Sequence, residues 1–144
     1  MAPYEGTIAL RMALRYVVGM SDGRERKLVV IVDDDESLRS ALQGLMKEAG
    51  LPARSFASAE DFLESGQHDE TGCLITDIRM PRMSGLELQA RLNADGCRIP
   101  IIFITANGDE KMRMQALRAG AVEFVTKPFD DDALVASVRA ALEG

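Results

Sequence analysis

The sequence has no tryptophan and only one histidine, and aromatic residues make up 5% of its 144 residues. Its two cysteines, Cys73 and Cys97, form no CxxC pair and belong to no histidine cluster, which argues against a structural zinc site. We interpret them as buried thiols in a reducing compartment. No apolar run approaches the ~18–20 residues that a membrane span needs. These absences disfavour a zinc module and a membrane protein.

The sequence also has fewer basic than acidic residues. Lysine and arginine number 17 against 23 acidic residues, which gives a formal net charge of -6. Because phosphate backbones select an excess of basic residues, we expect no nucleic-acid binding by this chain itself. The length suits one domain with a single core, and the 47% apolar content is typical of a globular protein.

From Lys27 onward, strand and helix patterns alternate five times. Residues 28–32 form a continuous apolar run, typical of a strand that is covered on both faces. The predicted strands are 28–32, 53–56, 73–76, 99–105 and 121–125. This alternation predicts an α/β fold, in which a parallel sheet has helices on both faces. In such sheets the ligand site lies beyond the carboxyl ends of the strands.

Polar residues stand at those strand ends. Asp33 and Asp34 follow the first strand, Asp77 the third, Thr105 ends the fourth, and Lys127 follows the fifth. Two carboxylates about 4 Å apart repel by roughly 4 kcal/mol at an effective dielectric constant near 20. The acidic group therefore favours a bound cation, and all-oxygen ligands suit Mg²⁺.

The same group of residues suits phosphoryl transfer. A metal held by carboxylates, with a lysine opposite, neutralises the charge on a transferring phosphoryl group. The attacking atom is then a carboxylate oxygen, which gives an acyl phosphate.

Four motifs, in order and each at a strand end, resemble one family. They are VIVDDDE at 30–36, LITDIRMPRMSGLEL at 74–88, IIFITA at 101–106 and AGAVEFVTKPF at 119–129. The chain from Leu28 to Leu142 resembles the receiver domain of bacterial two-component response regulators, with DIRMPRMSG and FVTKPF closest to the nitrogen-fixation (FixJ-like) group. The spacing also agrees, with 44 positions from Asp33 to Asp77, 28 more to Thr105 and 22 more to Lys127. This resemblance implies the flavodoxin-like (βα)5 fold with strand order 2-1-3-4-5.

The resemblance also implies a role for each site residue. Asp77 accepts the phosphoryl group and, with Asp34 and the backbone carbonyl of Arg79, coordinates Mg²⁺, for which Mn²⁺ can substitute. Asp33 orients metal-bound water. Lys127 pairs with the phosphoryl oxygens, and the family holds its bond to the following proline in the cis form.

Four further roles follow from the same resemblance. Thr105 moves its hydroxyl onto the phosphoryl group, and Phe124 moves inward behind it. Arg79 and Asn107 occupy positions at which family members tune the lifetime of the phosphorylated state.

The function that the resemblance implies is a cytoplasmic signalling switch and not an enzyme in its own right. A sensor histidine kinase or a histidine phosphotransfer protein donates the phosphoryl group. The change is expected to reach the face built by helix four, strand five and helix five. Val122 and the exposed side of helix four form the surface through which we expect any phosphorylation-dependent homodimer to assemble.

Two other functional interpretations remain at this point. A haloacid-dehalogenase-type phosphatase is partly matched by Asp33-x-Asp35, Thr105 and a later lysine, but it leaves Asp77 without a role and lacks a second acidic pair at a strand end. A degenerate receiver used only as a scaffold is disfavoured because every expected active residue is present. The chain is either a stand-alone regulator or a fragment of a longer DNA-binding response regulator.

Individual residues also have plainer interpretations. Asp35 and Glu36 suit a helix N-terminus, where acids complement the helix dipole. The plainer interpretation of Thr105 is a residue that caps the next turn, and that of Phe124 is an ordinary core residue. His68 is predicted to be solvated in a polar loop, so the phosphoryl donor is expected outside this chain.

Residues 1–26 precede the region of resemblance, and residues 27–144 form the predicted receiver domain. Leu10, Leu14 and Val17, together with two arginines, fit a short basic amphipathic helix. Alternatively, translation begins at Met20, since MSDGRERKLVVIVDD is an ordinary opening for such a domain.

Overall fold

The computed structural model describes residues 27–106 and 108–144, so the expectations for residues 1–26 and for Asn107 lie outside the described residues. The strands of the described part are β1 (Leu28–Val32), β2 (Ala53–Phe56), β3 (Thr71–Thr76), β4 (Ile101–Thr105) and β5 (Glu123–Thr126). Its α-helices are α1 (Glu36–Glu48), α2 (Ala59–Ser65), α3 (Gly85–Ala94), α4 (Glu110–Arg118) and α5 (Asp131–Glu143). A short 3-10 helix, Gln67–Glu70, precedes β3.

The strands of the described residues form a single parallel sheet in the order β2-β1-β3-β4-β5. This order confirms the flavodoxin-like fold predicted from the sequence. The connections run outward in opposite directions from β1 and β3, which places the topological switch point between these two strands. The carboxyl ends of β1 and β3 are therefore where a ligand site is expected.

The apolar core lies on both faces of the sheet. Val30 and Val32 of β1 pack with α2, α3 and α4 on one face, whereas Val29 and Ile31 pack with α1 and α5 on the other. Successive residues of a strand point to opposite faces of the sheet, so the residues of β1 on either face are buried in an apolar core. This explains why β1 reads as an unbroken apolar run.

Three predicted strand boundaries are wrong by two residues at the start. β3 begins at Thr71 and not at residue 73, because Leu28 pairs with Thr71 before a register shift carries the strand past Gly72. β4 begins at Ile101 and not at residue 99, since Pro100 has no amide hydrogen for the ladder. β5 begins at Glu123, because the amide of Ala121 instead closes the end of α4 on the carbonyl of Ala116.

Short polar side chains begin the helices, as expected. Asp35, Ser58 and Asp130 each accept hydrogen bonds from amides of the first turn of α1, α2 and α5. Both cysteines are buried, and burial raises the pKa of the Cys73 thiol to about 12. Among the described residues, no helix has the length and apolar character needed to cross a membrane.

Candidate functional site

Three carboxylates meet at the switch point. Asp33 and Asp34 follow β1, Asp77 follows β3, and one carboxylate oxygen of each lies within 4.8 Å of the other two. Their exposure differs: Asp33 is buried, Asp77 is half-buried and Asp34 is exposed. The sequence prediction that these acids converge is therefore confirmed. Their exposure increases from Asp33 at the sheet edge through Asp77 to Asp34 in solvent.

The position of Asp33 is set by its neighbours on three sides. Its amide donates to the Phe56 carbonyl at 3.1 Å, which continues the pairing of β1 with β2. Its own carbonyl accepts from the Arg39 guanidinium at 2.8 Å, and its Oδ1 accepts from the Asp35 amide at 2.8 Å. The side chain is only 2% exposed, so its rotamer is restricted by packing as well as by hydrogen bonds.

Asp77 continues β3 by one residue and then turns the chain. Its amide donates to the Val32 carbonyl at 3.2 Å. Its Oδ1 accepts from the amides of Ile78 at 2.6 Å and Arg79 at 3.3 Å, so one carboxylate oxygen caps the loop that follows. The Thr76 hydroxyl donates to the Asp77 carbonyl at 3.0 Å. These contacts leave Oδ2 as the oxygen without a role in the local turn.

The buried carboxylate in this group has a perturbed pKa. The pKa of Asp33 is raised from 3.8 to about 6, and burial is the largest cause. The hydrogen bond from the Asp35 amide opposes this rise, as does the charge of Lys127, whereas the charges of Asp77 and Asp34 add to it. The charges of Asp77, Lys127 and Asp34 thus all act on the Asp33 carboxylate. A divalent cation in this group would oppose the same repulsion.

We expect the raised pKa of Asp33 to appear in the pH dependence of stability without divalent cations. In the folded protein Asp33 stays protonated up to about pH 6, whereas in the unfolded chain it releases its proton near pH 4. The protonated carboxyl therefore adds to the free energy of unfolding at low pH, and this contribution is lost as the pH rises from about 4 to about 6. Asp33→Asn keeps an acceptor oxygen but cannot titrate. Between pH 4 and pH 7 the parent should therefore lose roughly 1–3 kcal/mol of unfolding free energy that the variant keeps, as measured by urea unfolding at both pH values. Parallel stability curves for the two proteins would contradict this assignment.

Lys127 and Thr105 lie at the ends of neighbouring strands. The Lys127 amide donates to the Thr105 carbonyl at 2.9 Å, and Thr105 pairs with Thr126 in the sheet register. Lys127 is half-buried, and its bond to Pro128 is cis, as the sequence resemblance implied. Thr105 is 2% exposed. Both residues therefore belong to the same edge of the sheet as the three carboxylates.

Phe124 stands behind this edge on β5. It is half-buried, and its ring centroid lies 6.4 Å from that of Phe103. Gly108 packs against it so closely that a Cβ at this position would lie 2.5 Å from Phe124 Cε1 and 2.9 Å from the Thr105 methyl. Thr105 and Phe124 thus share one neighbour in the β4–α4 loop, a contact that the sequence did not predict.

Sequence reasoning missed the residues that support the site and misplaced the one histidine. Three supporting residues contact the backbone of the site acids: Arg39 contacts Asp33, and Thr76 and Gly85 contact Asp77. Each is a single position at the start of a helix, on a helix face or at the end of a strand, and the sequence carries no signal for such contacts. His68 is not simply solvated: it belongs to the 3-10 helix, and its ring lies 5.2 Å from that of Phe62. The prediction missed this contact because Phe62 lies six residues earlier in the chain, in α2.

The donor set fits a hard divalent cation. The three groups are carboxylates, and neither cysteine nor histidine is among the residues that meet here. Oxygen-only ligands at a partly exposed edge suit Mg²⁺, which keeps part of its water shell. Asp34 and Asp77 are the members with access to solvent and hence to an entering hydrated ion.

Known proteins that resemble this chain include response regulators. The family model of the response regulator receiver domain matches residues 29–139. The response regulator protein TodT of Pseudomonas putida is 42% identical over 140 residues, which cover 97% of this chain and 60% of TodT. The transcriptional regulatory protein FixJ of Azorhizobium caulinodans is 43% identical over 114 residues, which cover 79% of this chain and 54% of FixJ.

A solved structure agrees with these relatives. The crystal structure of FixJ-N superimposes with a TM-score of 0.74 at 38% identity, covering 83% of this chain and 96% of that chain. The chain belongs to the response regulator receiver domain family. Receiver domains are signalling domains that bind Mg²⁺ at an acidic pocket, and response regulators take phosphate from histidine kinases. This chain spans little more than half the length of the curated relatives it matches.

Proposed function

We propose that this protein is a phosphorylation-activated switch whose phosphoacceptor is Asp77, and that residues 27–144 form the switching domain. The observation that carries the proposal is the half-buried Asp77 carboxylate beside Asp33 and Asp34 at the switch point of the sheet. Asp33 is too deeply buried to meet a donor. Asp77 combines access to solvent with two acidic neighbours and a nearby lysine.

The transfer step uses a carboxylate oxygen of Asp77 as the nucleophile. That oxygen forms a bond to phosphorus, while the bond from phosphorus to the donor breaks and its electron pair leaves with the donor. The donor is the phosphohistidine of a sensor histidine kinase or of a phosphotransfer protein. Oδ1 is held by the amides of Ile78 and Arg79, which favours Oδ2 as the attacking oxygen.

Mg²⁺, or Mn²⁺ in its place, supplies positive charge that lowers the repulsion between the phosphoryl oxygens and the carboxylates. Asp34, Asp77 and the backbone carbonyl of Arg79 are the proposed direct ligands, and Asp33 is proposed to orient water on the ion. Lys127 contributes a second positive charge by pairing with the phosphoryl oxygens. Arg79 and Asn107 are proposed to tune the lifetime of the acyl phosphate.

The proposed readout passes from Thr105 to Phe124 and then to the face of α4, β5 and α5. Its support is the contact of both residues with Gly108, which couples the sheet edge to the loop that begins α4. A local charge change that biases a two-state packing arrangement is a common mode of switching. Here the hydroxyl of Thr105 and the ring of Phe124 are proposed to move together.

The proposed output face also carries exposed apolar side chains. Val122 is 53% exposed and Met114, on α4, is 37% exposed. We propose that phosphorylation drives homodimerisation through this surface in the cytoplasm. The net charge of -6 supports a protein partner over direct nucleic-acid binding by this chain.

A titration with Mg²⁺ tests the metal part of the proposal without a kinase. At a concentration about 100 times the dissociation constant, Mg²⁺ should stabilise the parent by about 3 kcal/mol in unfolding experiments. Asp34→Ala should abolish this gain without lowering stability in the absence of metal, because it also removes one of three repelling charges. Asp61→Ala, an exposed acid on α2, should behave as the parent. A thermal unfolding midpoint of the parent that does not change with Mg²⁺ concentration would refute the proposed metal site.

A haloacid-dehalogenase-type phosphatase finds no support in the geometry. That interpretation needs Asp35 as a free acid, but its Oδ1 accepts from the amides of Ser37 at 2.9 Å and Leu38 at 3.3 Å as the cap of α1. Asp130 likewise caps α5 and supplies no acid to the sheet edge.

A further inference from the structure

The loop between Asp77 and α3 is held at both ends by hydrogen bonds. Asp77 Oδ1 binds the amides of Ile78 and Arg79, and the Gly85 amide donates to the Ile78 carbonyl at 2.8 Å. Between these points lies Arg82, whose φ of 65° is the only positive φ among the described non-glycine residues. A left-handed residue with a side chain persists only where its surroundings hold it.

Glu60, in the first turn of α2, supplies that support. Its Oε2 accepts from the Met83 amide at 3.1 Å, and its Oε1 lies 3.9 Å from Nη2 of Arg82. The Glu60 side chain is 29% exposed, whereas that of Arg82 is 68% exposed. An exposed ion pair contributes little, whereas a part-buried hydrogen bond from a backbone amide to a charged carboxylate is stronger than a bond between neutral groups. The bond to Met83 is therefore the stronger of the two contacts that Glu60 makes with the loop.

We propose that Glu60 is a positioning residue of the phosphoacceptor site. It acts through the loop: by holding Met83 and the left-handed Arg82, it sets the path of the backbone that includes Arg79. Met83 is also packed against the apolar core beneath the loop, so the carboxylate and the core hold the same residue from two sides. This inference rests on the proposed function, because the Arg79 carbonyl is a proposed metal ligand there.

Three variants separate positioning from plain stability. Glu60→Ala removes both contacts, and Glu60→Gln keeps an acceptor for the Met83 amide without the charge. Glu64→Ala removes an exposed acid from the same helix and serves as the matched control. Two quantities are followed by NMR, namely hydrogen exchange of the Met83 amide and the dissociation constant for Mg²⁺ from amide shifts.

We expect Glu60→Ala to speed exchange at Met83 by about tenfold or more while exchange in the strands of the sheet is unchanged. We expect its dissociation constant for Mg²⁺ to rise by about tenfold, as for other residues that orient a metal ligand. Glu60→Gln should fall between Glu60→Ala and the parent, and Glu64→Ala should match the parent. Adding Arg82→Gly to Glu60→Ala should recover part of the affinity, since glycine adopts a positive φ at no steric cost.

Two outcomes would overturn the inference while leaving the proposed function intact. One is unchanged exchange at Met83 in Glu60→Ala. The other is faster exchange with a Mg²⁺ dissociation constant equal to that of Glu64→Ala, which would reduce Glu60 to a loop contact without effect on the site. A parent protein that does not bind Mg²⁺ at all would instead refute the proposed function and the inference together.

Discussion

Replacing Gly85 with alanine is expected to destabilise the protein by about 3 kcal/mol. Gly85 is the first residue of α3, and a Cβ built on it overlaps the carbonyl oxygen of Asp77. The same Cβ would lie 3.0 Å from the Asp77 carbonyl carbon and 3.1 Å from Ile78 Cα. All three are backbone atoms, so no side-chain rotation relieves the contact, and either α3 or the residues after β3 must move.

Gly44→Ala provides the matched control. Gly44 lies exposed within α1, and a Cβ there meets no atom within 4 Å. Alanine is better than glycine in a helix interior by roughly 0.5–1 kcal/mol, so this variant should be more stable than the parent. Urea unfolding of the two variants and the parent makes the comparison. Equal urea midpoints for Gly85→Ala and the parent would contradict the close packing of the start of α3 against the backbone of Asp77.

The second large effect is on phosphoryl transfer. Asp77→Asn should gain no phosphoryl group from acetyl phosphate, because an amide oxygen is a poor nucleophile and the position no longer carries a negative charge. Fold and stability should survive, since the amide oxygen still accepts from the amides of Ile78 and Arg79. Mobility on a phosphate-affinity gel measures the modification, and circular dichroism checks the fold.

Asp35→Asn is the control for this substitution. Asp35 belongs to the same acidic run as Asp33 and Asp34, but its carboxylate caps α1, and asparagine caps a helix about as well as aspartate does. The variant should therefore be phosphorylated at the rate of the parent. Phosphorylation that persists in Asp77→Asn, or that is lost in Asp35→Asn, would place the acceptor elsewhere in the acidic group.

Much of the fold was predictable because its signals are local. The β1 run is apolar throughout, which is typical of a strand covered on both faces, and the polar residues that follow the strands mark where they stop. Strand starts were harder to place. The pairing of Thr71 with Leu28 and the absence of an amide hydrogen at Pro100 decide two of them, and neither depends on the apolar pattern.

The acidic centre was also predictable, whereas its supports were not. Asp33, Asp34 and Asp77 stand directly after strands, so parallel pairing alone brings them to one edge. Glu60 reaches the loop after Asp77 from a different helix, 23 residues from its partner Met83. No periodicity or motif encodes such a contact, because it depends on how α2 packs against that face of the sheet. Gly85 is similar: the sequence shows only a glycine here, whereas the packed structure shows that a side chain would strike the backbone of Asp77 and Ile78.

The most direct test of the switch is the intact mass of the parent after incubation with acetyl phosphate, with and without Mg²⁺. The proposal predicts one labile phosphoryl group that appears only with Mg²⁺, and an equal gain in His68→Gln, which removes the one histidine of the chain. A gain that is independent of Mg²⁺, or one that disappears in His68→Gln, would contradict phosphorylation of Asp77 at the acidic site.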